Sequence, residues 1–326
     1  MKRKVSALIK VIVTILLFYL LFSKVGWSEF LATLAGARIG VLLFAFAILW
    51  IGHYICIFRW RILMRPLMPV FSLVRLFEIY CIGLFFNLTF PTAVGGDLVK
   101  MYYAGKPTRQ YAQSFAATFL DRDSGMFAMM ILACLGSLLL PMSLPGIPVS
   151  LIVWFSFVAF IALNVVIFTP VLHRLLTAVL RKTRLHGIAT RVDAISDAFI
   201  IMGKHPRILL QALLISLANQ LLVFVVTWVT AIGLRINISF LYYIVFVPVI
   251  TLISMIPISL NGYGLREYAF RSLFSAIGVA PASALALGFL SSITLLLTAV
   301  PGGIVYMFFR NRDDLRQIAA LETEFS

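Results

Sequence analysis

The chain has 326 residues, of which 62% are hydrophobic and 12% are charged, and 27 Lys and Arg against 12 Asp and Glu give a net charge of +15. An ordinary soluble domain is about half apolar and about a quarter charged. A soluble fold of this length could not bury so much apolar surface, whereas a lipid bilayer solvates it. The composition therefore excludes a soluble enzyme and predicts a polytopic membrane protein.

The apolar segments are long and continuous. No Asp, Glu, Lys or Arg occurs in residues 124–172, 208–234, 236–265 or 272–309. A helix needs about 20 apolar residues to cross a membrane, whereas a barrel strand needs about 10 that alternate in polarity. These runs predict an all-α polytopic membrane protein that forms one integral membrane domain over residues 1–326.

The positive charges predict the orientation of the helices, because Lys and Arg of short loops stay in the cytoplasm. Most of them fall in five clusters, namely the N-terminus, residues 59–75, 100–109, 174–207 and the tail from residue 310. With all five clusters inside, both termini are cytoplasmic and the protein is a multi-pass protein of the cell inner (plasma) membrane. About six full spans result, at residues 8–22, 39–58, 114–140, 148–170, 208–232 and 284–309.

Two apolar stretches remain, and each has the same side of the membrane at both ends. We predict that residues 76–99 form a re-entrant helical hairpin from the inside and residues 240–280 one from the outside. Both contain a proline and a glycine pair followed by an acidic and a basic residue, as FPTAVGGDLVKMY at 90–102 and IPISLNGYGLREY at 256–268. This layout is typical of an inverted-topology repeat, here about 39–140 and about 208–309. The alternative is that each Pro-Gly break simply ends a helix at the membrane surface.

Three segments carry a family resemblance. They are Gly95-Gly96-Asp97 with Lys100, Asp121-Arg122 with Gly125, and Asn-Gly-Tyr-Gly-Leu-Arg-Glu at 261–267. In this order and spacing they resemble the membrane (flippase) region of the lysylphosphatidylglycerol synthase and flippase family, over nearly the whole chain. In two-domain members this region moves an aminoacylated phospholipid between leaflets, and a soluble domain makes that lipid. We expect a stand-alone member that lacks the soluble synthase domain, so the resemblance implies translocation but does not fix the lipid.

Ionisable side chains at membrane depth cost about 2.5 to 3.5 kcal/mol each on insertion scales, so they normally face a cavity or a partner. We predict that the substrate-binding residues are Asp97, Lys100, Arg122, Asn261, Arg266 and Glu267. The predicted structural or gating residues are Gly95, Gly96, Asp121, Asp123, Gly262 and Gly264.

Alternatives remain for the charged residues. Arg266 can hold a lipid phosphate through two parallel hydrogen bonds, or it can form an internal ion pair with Glu267 or with Asp97. Asp121 and Asp123 with Arg122 are expected to form a structural or gating pair at the cytoplasmic mouth of their span, and the alternative is a simple surface ion pair there.

The sequence contains no HExxH motif and no P-loop, so we expect no enzymatic activity, no catalytic residue, no metal and no cofactor. The leading hypothesis is a lipid translocase that moves a phospholipid or a polyprenyl-linked lipid between leaflets. The alternative is a membrane-embedded transferase or accessory subunit in lipid-linked sugar or aminoacyl-lipid metabolism. A third hypothesis is a scaffold for a separately encoded synthase.

The expected partners are membrane lipids with anionic or phosphate-bearing headgroups, and no nucleic acid. A second copy of the chain and a separately encoded lipid-synthesising enzyme are further candidates.

Overall fold

A computed structural model describes residues 2–89, 95–140, 149–169 and 186–324. This part of the chain contains helices and no strand, which confirms the predicted all-α fold. The first residues of the predicted motif at 90–102 and part of the basic cluster at 174–207 lie outside the described residues. The helices of the described part are α1 (Lys2–Lys24), α2 (Trp27–Ala35), α3 (Ile39–Met64), α4 (Leu73–Thr89), α5 (Gly95–Gly105), α6 (Tyr111–Leu139), α7 (Val149–Phe168), α8 (His186–Gly203), α9 (Pro206–Gly233), α10 (Phe240–Met255), α11 (Leu265–Ser275) and α12 (Pro281–Glu324).

Five helices of the described residues are long and apolar enough to cross a membrane, namely α3, α6, α7, α9 and the part of α12 up to Phe309. The apolar part of α1 and the whole of α2 meet at 88° and make a sixth span if the bent pair is counted as one. The rings of Phe22, Trp27 and Phe30 pack against one another across this bend, with centroids 4.6 to 5.7 Å apart. With the bent pair counted as one span, the number of spans in the described residues equals the predicted six.

The end of the second span differs from the prediction. We placed it at residue 58, but α3 continues to Met64, and Arg59 and Trp60 are buried in it. The charge of Arg59 does not end the helix, because its guanidinium finds partners on the neighbouring helices α6 and α9.

The first of the two remaining apolar stretches folds into a pair of packed helices, α4 and α5. Asn87 Oδ1 of α4 accepts a hydrogen bond from the Gly96 N–H of α5, 2.8 Å away. Further along, Gly83 faces Lys100 so closely that a Cβ added to this glycine would lie 2.7 Å from the lysine side chain. Because earlier residues of α4 face later residues of α5, the chain reverses direction between the two helices.

The second stretch folds in the same way, as α10 and α11. The rings of Tyr243 and Phe246 near the start of α10 pack against Phe274 near the end of α11, with centroids 5.3 and 5.2 Å apart. Between the helices, Asn261 Nδ2 donates a hydrogen bond to the carbonyl oxygen of Asn87, 3.3 Å away. The tips of the two hairpins therefore meet. Their entry from opposite faces of the membrane, the inverted repeat and the single-domain organisation stay predictions.

Helix α12 packs against both hairpins through glycines. A Cβ on Gly288 would lie 3.0 Å from the backbone of Glu267 in α11, and one on Gly302 would overlap the backbone of Cys81 in α4. The buried apolar residues form two clusters, one around the second hairpin and the start of α12, the other around α3, α4 and α6. The polar site lies between these clusters.

Candidate functional site

A cavity of about 430 Å³ lies between the two hairpins and the helices α3, α6 and α9. Its described lining includes four cations and two carboxylates. They are Arg59, Asp97, Lys100, Asp121, Arg122 and Arg266. The structure thus brings together five of the six residues that we predicted to bind substrate, since Asn261 also lines the cavity, and Asp121, which we predicted to be structural. It adds Arg59.

Asp97 forms two ion pairs within the first half of the chain. Its Oδ1 lies 2.7 Å from Lys100 Nζ, and its Oδ2 lies 2.5 Å from Arg122 Nη1. Asp97 and Lys100 are one helical turn apart in α5, so they share a face of this helix. The ammonium of Lys100 also lies 5.1 Å from the ring centroid of Tyr80, close enough for a cation–π contact. Both carboxylate oxygens of Asp97 are therefore engaged.

Arg59 and Asp121 form a buried ion pair, with side chains only 6% exposed and 2.7 Å between Nε and Oδ1. The same guanidinium donates to Ser216 Oγ of α9 at 2.7 Å. The alternative of a surface ion pair between Asp121 and Arg122 is wrong, because Asp121 is buried and pairs with Arg59 of α3. Sequence reasoning missed Arg59 because it assigned this residue to the cytoplasmic cluster. The signal was its place between Ile57 and Trp60, directly after an apolar span.

Arg266 lines the cavity from the first turn of α11. Its Nη1 is buried and has no hydrogen-bond partner among the described residues. Neither predicted ion pair forms there, because Asp97 pairs with Lys100 and Arg122, and the Glu267 carboxylate accepts hydrogen bonds from Gly264 and Ser292. Glu267 is fully buried and accepts hydrogen bonds from the Gly264 N–H, 2.6 Å away, and from the Ser292 hydroxyl. Its carboxylate stabilises the start of α11 and does not line the cavity.

The turn before Arg266 depends on residues with positive φ. Asn261 has a φ of 49°, and Gly262 and Gly264 have φ of 80° and 82°. Glycine adopts this conformation without steric cost, and asparagine tolerates it better than most residues. This tight turn places Asn261 and Arg266 on the same cavity. The two glycines thus shape this turn, and their structural or gating role stays a prediction.

The remaining predicted residues occupy supporting positions. Gly95 and Gly96 begin α5 and are buried, and Gly96 leaves room for the close approach of Gly83. Asp123 is partly buried in α6 and does not line the cavity.

A second cavity of about 270 Å³ adjoins the first and shares Val223, Thr251 and Arg266 with it. The rest of its described lining is aliphatic, aromatic or hydroxylated. The hydroxyls of Thr227, Thr251 and other Ser and Thr residues there donate to carbonyl oxygens of their own helices. Arg266 is thus the only charged residue in the described lining of this cavity, and it stands at the junction of a polar and a largely apolar space.

The ion pair between Asp97 and Arg122 borders a second set of cavities as well as the central one. These two residues also line an apolar cavity of about 60 Å³. This cavity shares Leu98, Met101 and Phe115 with a groove of about 830 Å³ between α5, α6 and α8. The ion pair therefore separates the groove from the central cavity.

No group of three or more His, Cys, Asp or Glu side chains in the described residues could hold a metal ion.

The comparisons with known proteins give one result. The family model described as the lysylphosphatidylglycerol synthase TM region matches residues 7–303. No curated protein and no solved structure matches the chain significantly.

Proposed function

Starting from the fact that this chain belongs to the lysylphosphatidylglycerol synthase TM family, we propose that it is a lipid translocase. It would move a phospholipid or a polyprenyl-linked lipid between leaflets through the central cavity. The family match and the spans show that the chain is a multi-pass membrane protein of a lipid-metabolism family.

The position of Arg266 carries the proposal. Arg266 is partly buried, and a buried N–H group of its guanidinium without a hydrogen-bond partner is costly, so it calls for an anionic occupant. A guanidinium matches two phosphate oxygens at once, which an ammonium does not. The central cavity lies within the usual range of ligand pockets, which is about 300 to 1,000 Å³. A lipid phosphate at Arg266 would have a polar space on one side and a largely apolar space on the other, as an amphipathic molecule requires.

The groove between α5, α6 and α8 supports a route for such a molecule. Leu98 and Tyr102 of this groove are about half exposed. A lipid entering there would reach the central cavity only when the ion pair between Asp97 and Arg122 opens. In this proposal, Arg122 and Lys100 receive the headgroup before Arg266 does.

The proposal extends to location and partners. The charge clusters support a plasma-membrane protein with both termini in the cytoplasm. Anionic or phosphate-bearing lipids are its proposed partners, together with a separately encoded enzyme that makes the lipid and a second copy of the chain.

A leaflet assay in proteoliposomes tests the proposal. A fluorescent phospholipid is placed in one leaflet, and its appearance in the other is followed with a quencher that does not cross the membrane. We expect the wild-type protein to move the lipid and Arg266→Gln to lose this activity. Arg207→Gln is the matched control, because Arg207 is exposed in the first turn of α9 and lines none of the described cavities.

Equal rates in liposomes with and without protein would refute translocation. A chemically altered lipid recovered from the same liposomes would favour the membrane-embedded transferase.

A further inference from the structure

We infer that a phospholipid of the cytoplasmic leaflet first binds in the groove between α5, α6 and α8, with its phosphate at Arg109 and an acyl chain along the apolar wall of the groove. This site lies outside the central cavity. The inference rests on the proposed function, because it specifies where the transported lipid enters the protein.

The lining of the groove, which has a volume of about 830 Å³, is polar at one end and apolar at the other. Arg109 and Gln110 belong to the loop between α5 and α6, and Gln113 lies in the first turn of α6. The apolar wall is formed by side chains of α5, α6 and α8, namely Leu98, Met101, Phe115, Ala194 and Ile195. A molecule with one charged end and one hydrocarbon end fits this division.

The apolar wall is about as long as one leaflet is thick. Tyr111 lines the groove at the start of α6, and Arg122 lies further along the same helix in the ion pair with Asp97. At about 1.5 Å per residue these two positions are about 16 Å apart along the helix axis. The hydrocarbon core of a bilayer is about 30 Å thick, so one leaflet contributes about 15 Å. A lipid with its phosphate at Arg109 would therefore extend its acyl chain as far as the ion pair.

Arg109 supplies a cation that is available to a phosphate. Its side chain is exposed, and none of the ion pairs among the described residues includes it. Its φ of 57° lies in the left-handed region that residues other than glycine rarely adopt. The sequence therefore places a long cationic side chain in a turn where a glycine would be less strained.

Gln110 supplies a second polar group at the same end of the groove. Its Oε1 is buried and has no hydrogen-bond partner among the described residues, and a buried acceptor without a partner is costly. A hydroxyl or ammonium group next to the lipid phosphate would donate to it. The phosphate itself would form a charge-assisted hydrogen bond with Arg109.

The polar end of the groove lies at the level expected for lipid headgroups. The rings of Tyr102 and Tyr111 stack there with centroids 6.1 Å apart, and both side chains are exposed. Tyrosine is enriched where a membrane meets water, and Lys and Arg of short loops stay in the cytoplasm. Leu98 on the wall is also exposed, so a lipid of the cytoplasmic leaflet can enter from the side.

Photocrosslinking in proteoliposomes of the full chain tests this site. The probe is phosphatidylglycerol with a photoreactive group near the end of one acyl chain, and mass spectrometry identifies the labelled residues. We expect labels at residues 98–101 of α5 and 115–119 of α6. A phosphatidylcholine probe with the same chains should label them more weakly, because its headgroup has no net charge and no hydrogen-bond donor.

Variants of the loop show whether Arg109 holds the headgroup. Arg109→Gln should reduce the labelling about fivefold, the upper range for an exposed ion pair. Arg109→Lys keeps the charge and should retain most of it. Lys106→Gln is the matched control, because Lys106 precedes Arg109 in the same loop and lines none of the described cavities.

Transport kinetics separate entry from passage through the central cavity. Arg109→Gln should raise the lipid fraction that gives half-maximal leaflet movement about fivefold and leave the maximal rate unchanged. Arg266→Gln should lose the movement and keep the labelling of the groove.

Equal labelling of the wild type and Arg109→Gln, or an equal loss in Lys106→Gln, would overturn the inference. Labels confined to other exposed helices, such as α7, would also overturn it. Labelling of the groove that depends on Arg109, without any leaflet movement, would leave the lipid site standing and remove the proposed function. Leaflet movement without labelling of the groove would do the reverse.

Discussion

Arg59 and Asp121 face each other between α3 and α6, with whole-residue exposures of 5% and 4%. The ion pair lowers the free-energy cost of burying each of these two charges. Removing one partner of a buried pair leaves an uncompensated charge, whereas replacing both by apolar residues is often neutral. This pair is therefore expected to matter for stability more than for lipid binding.

Asp121→Asn is expected to destabilise the protein by about 3 to 5 kcal/mol, the usual cost of breaking a buried pair. The double variant Arg59→Met with Asp121→Leu should recover much of the loss. Thermal unfolding in detergent measures both effects, and Asp123→Asn is the control on the same helix. If Asp121→Asn melts like Asp123→Asn, the buried pair does not contribute as we describe.

Asp97 should couple energetically to Arg122 and not to Arg266. The cycle of Asp97→Asn and Arg122→Gln should give a coupling energy of about 0.5 to 3 kcal/mol, as residues in one ion-pair network do. The cycle of Asp97→Asn and Arg266→Gln should be additive within about 0.5 kcal/mol, because no ion pair joins them. The melting temperatures of the single and double variants give both coupling energies. Strong coupling between Asp97 and Arg266 would contradict the pairing of Asp97 with Lys100 and Arg122.

The sequence predicted which charged residues come together, but it did not predict which of them form ion pairs. Asp97, Lys100 and Arg266 were found because ionisable groups after a glycine pair stand out in an apolar chain, and Arg122 was found because it borders a long apolar span. Their pairing depends on the rotation of α5, α6 and α11 about their own axes. Arg59 was missed because a cation directly after an apolar run looks the same whether it ends the span or is buried one turn further on.

At the scale of whole helices, the two hairpins were predictable because charge parity left two apolar stretches that could not be full spans. The bend between α1 and α2 was not, since Gly26 alone does not predict it and the packing of Phe22 on Trp27 and Phe30 fixes it. The long contact of α12 with both hairpins was also missed. Its glycines are visible in the sequence, but only the fold shows which backbone each one faces.

Gly302→Ala should destabilise the contact between α12 and α4. A Cβ at this position would overlap the backbone of Cys81, which cannot move aside as a flexible side chain can. We expect a loss of about 1 to 3 kcal/mol, typical of overpacking. Gly40→Ala is the matched control, because a Cβ there meets nothing within 4 Å in α3. Equal melting temperatures for the two variants would contradict the close approach.

At the scale of the whole molecule, the charge clusters predict the orientation of the protein in the membrane. Single cysteines are introduced at Lys106, after α5, and at Arg235, after α9, and are labelled in intact cells with a reagent that does not cross the membrane. We expect the second position to react and the first to react only after the membrane is opened. Equal labelling of both positions in intact cells would contradict two hairpins that enter from opposite faces.

The central claim is that a lipid crosses through the cavity between the hairpins, and reversible plugging of this cavity tests it most directly. Met126 of α6 lines the cavity, whereas Leu138 of the same helix is 64% exposed and does not. Each is replaced by cysteine in a chain whose Cys56, Cys81 and Cys134 are replaced by alanine, and each is labelled with a bulky reagent that forms a disulfide.

Leaflet movement is then measured in proteoliposomes before labelling, after labelling and after reduction. The account predicts that the labelled Met126→Cys protein stops moving lipid and recovers when the label is removed, while Leu138→Cys moves lipid throughout. Movement at the unlabelled rate by the labelled Met126→Cys protein would contradict it.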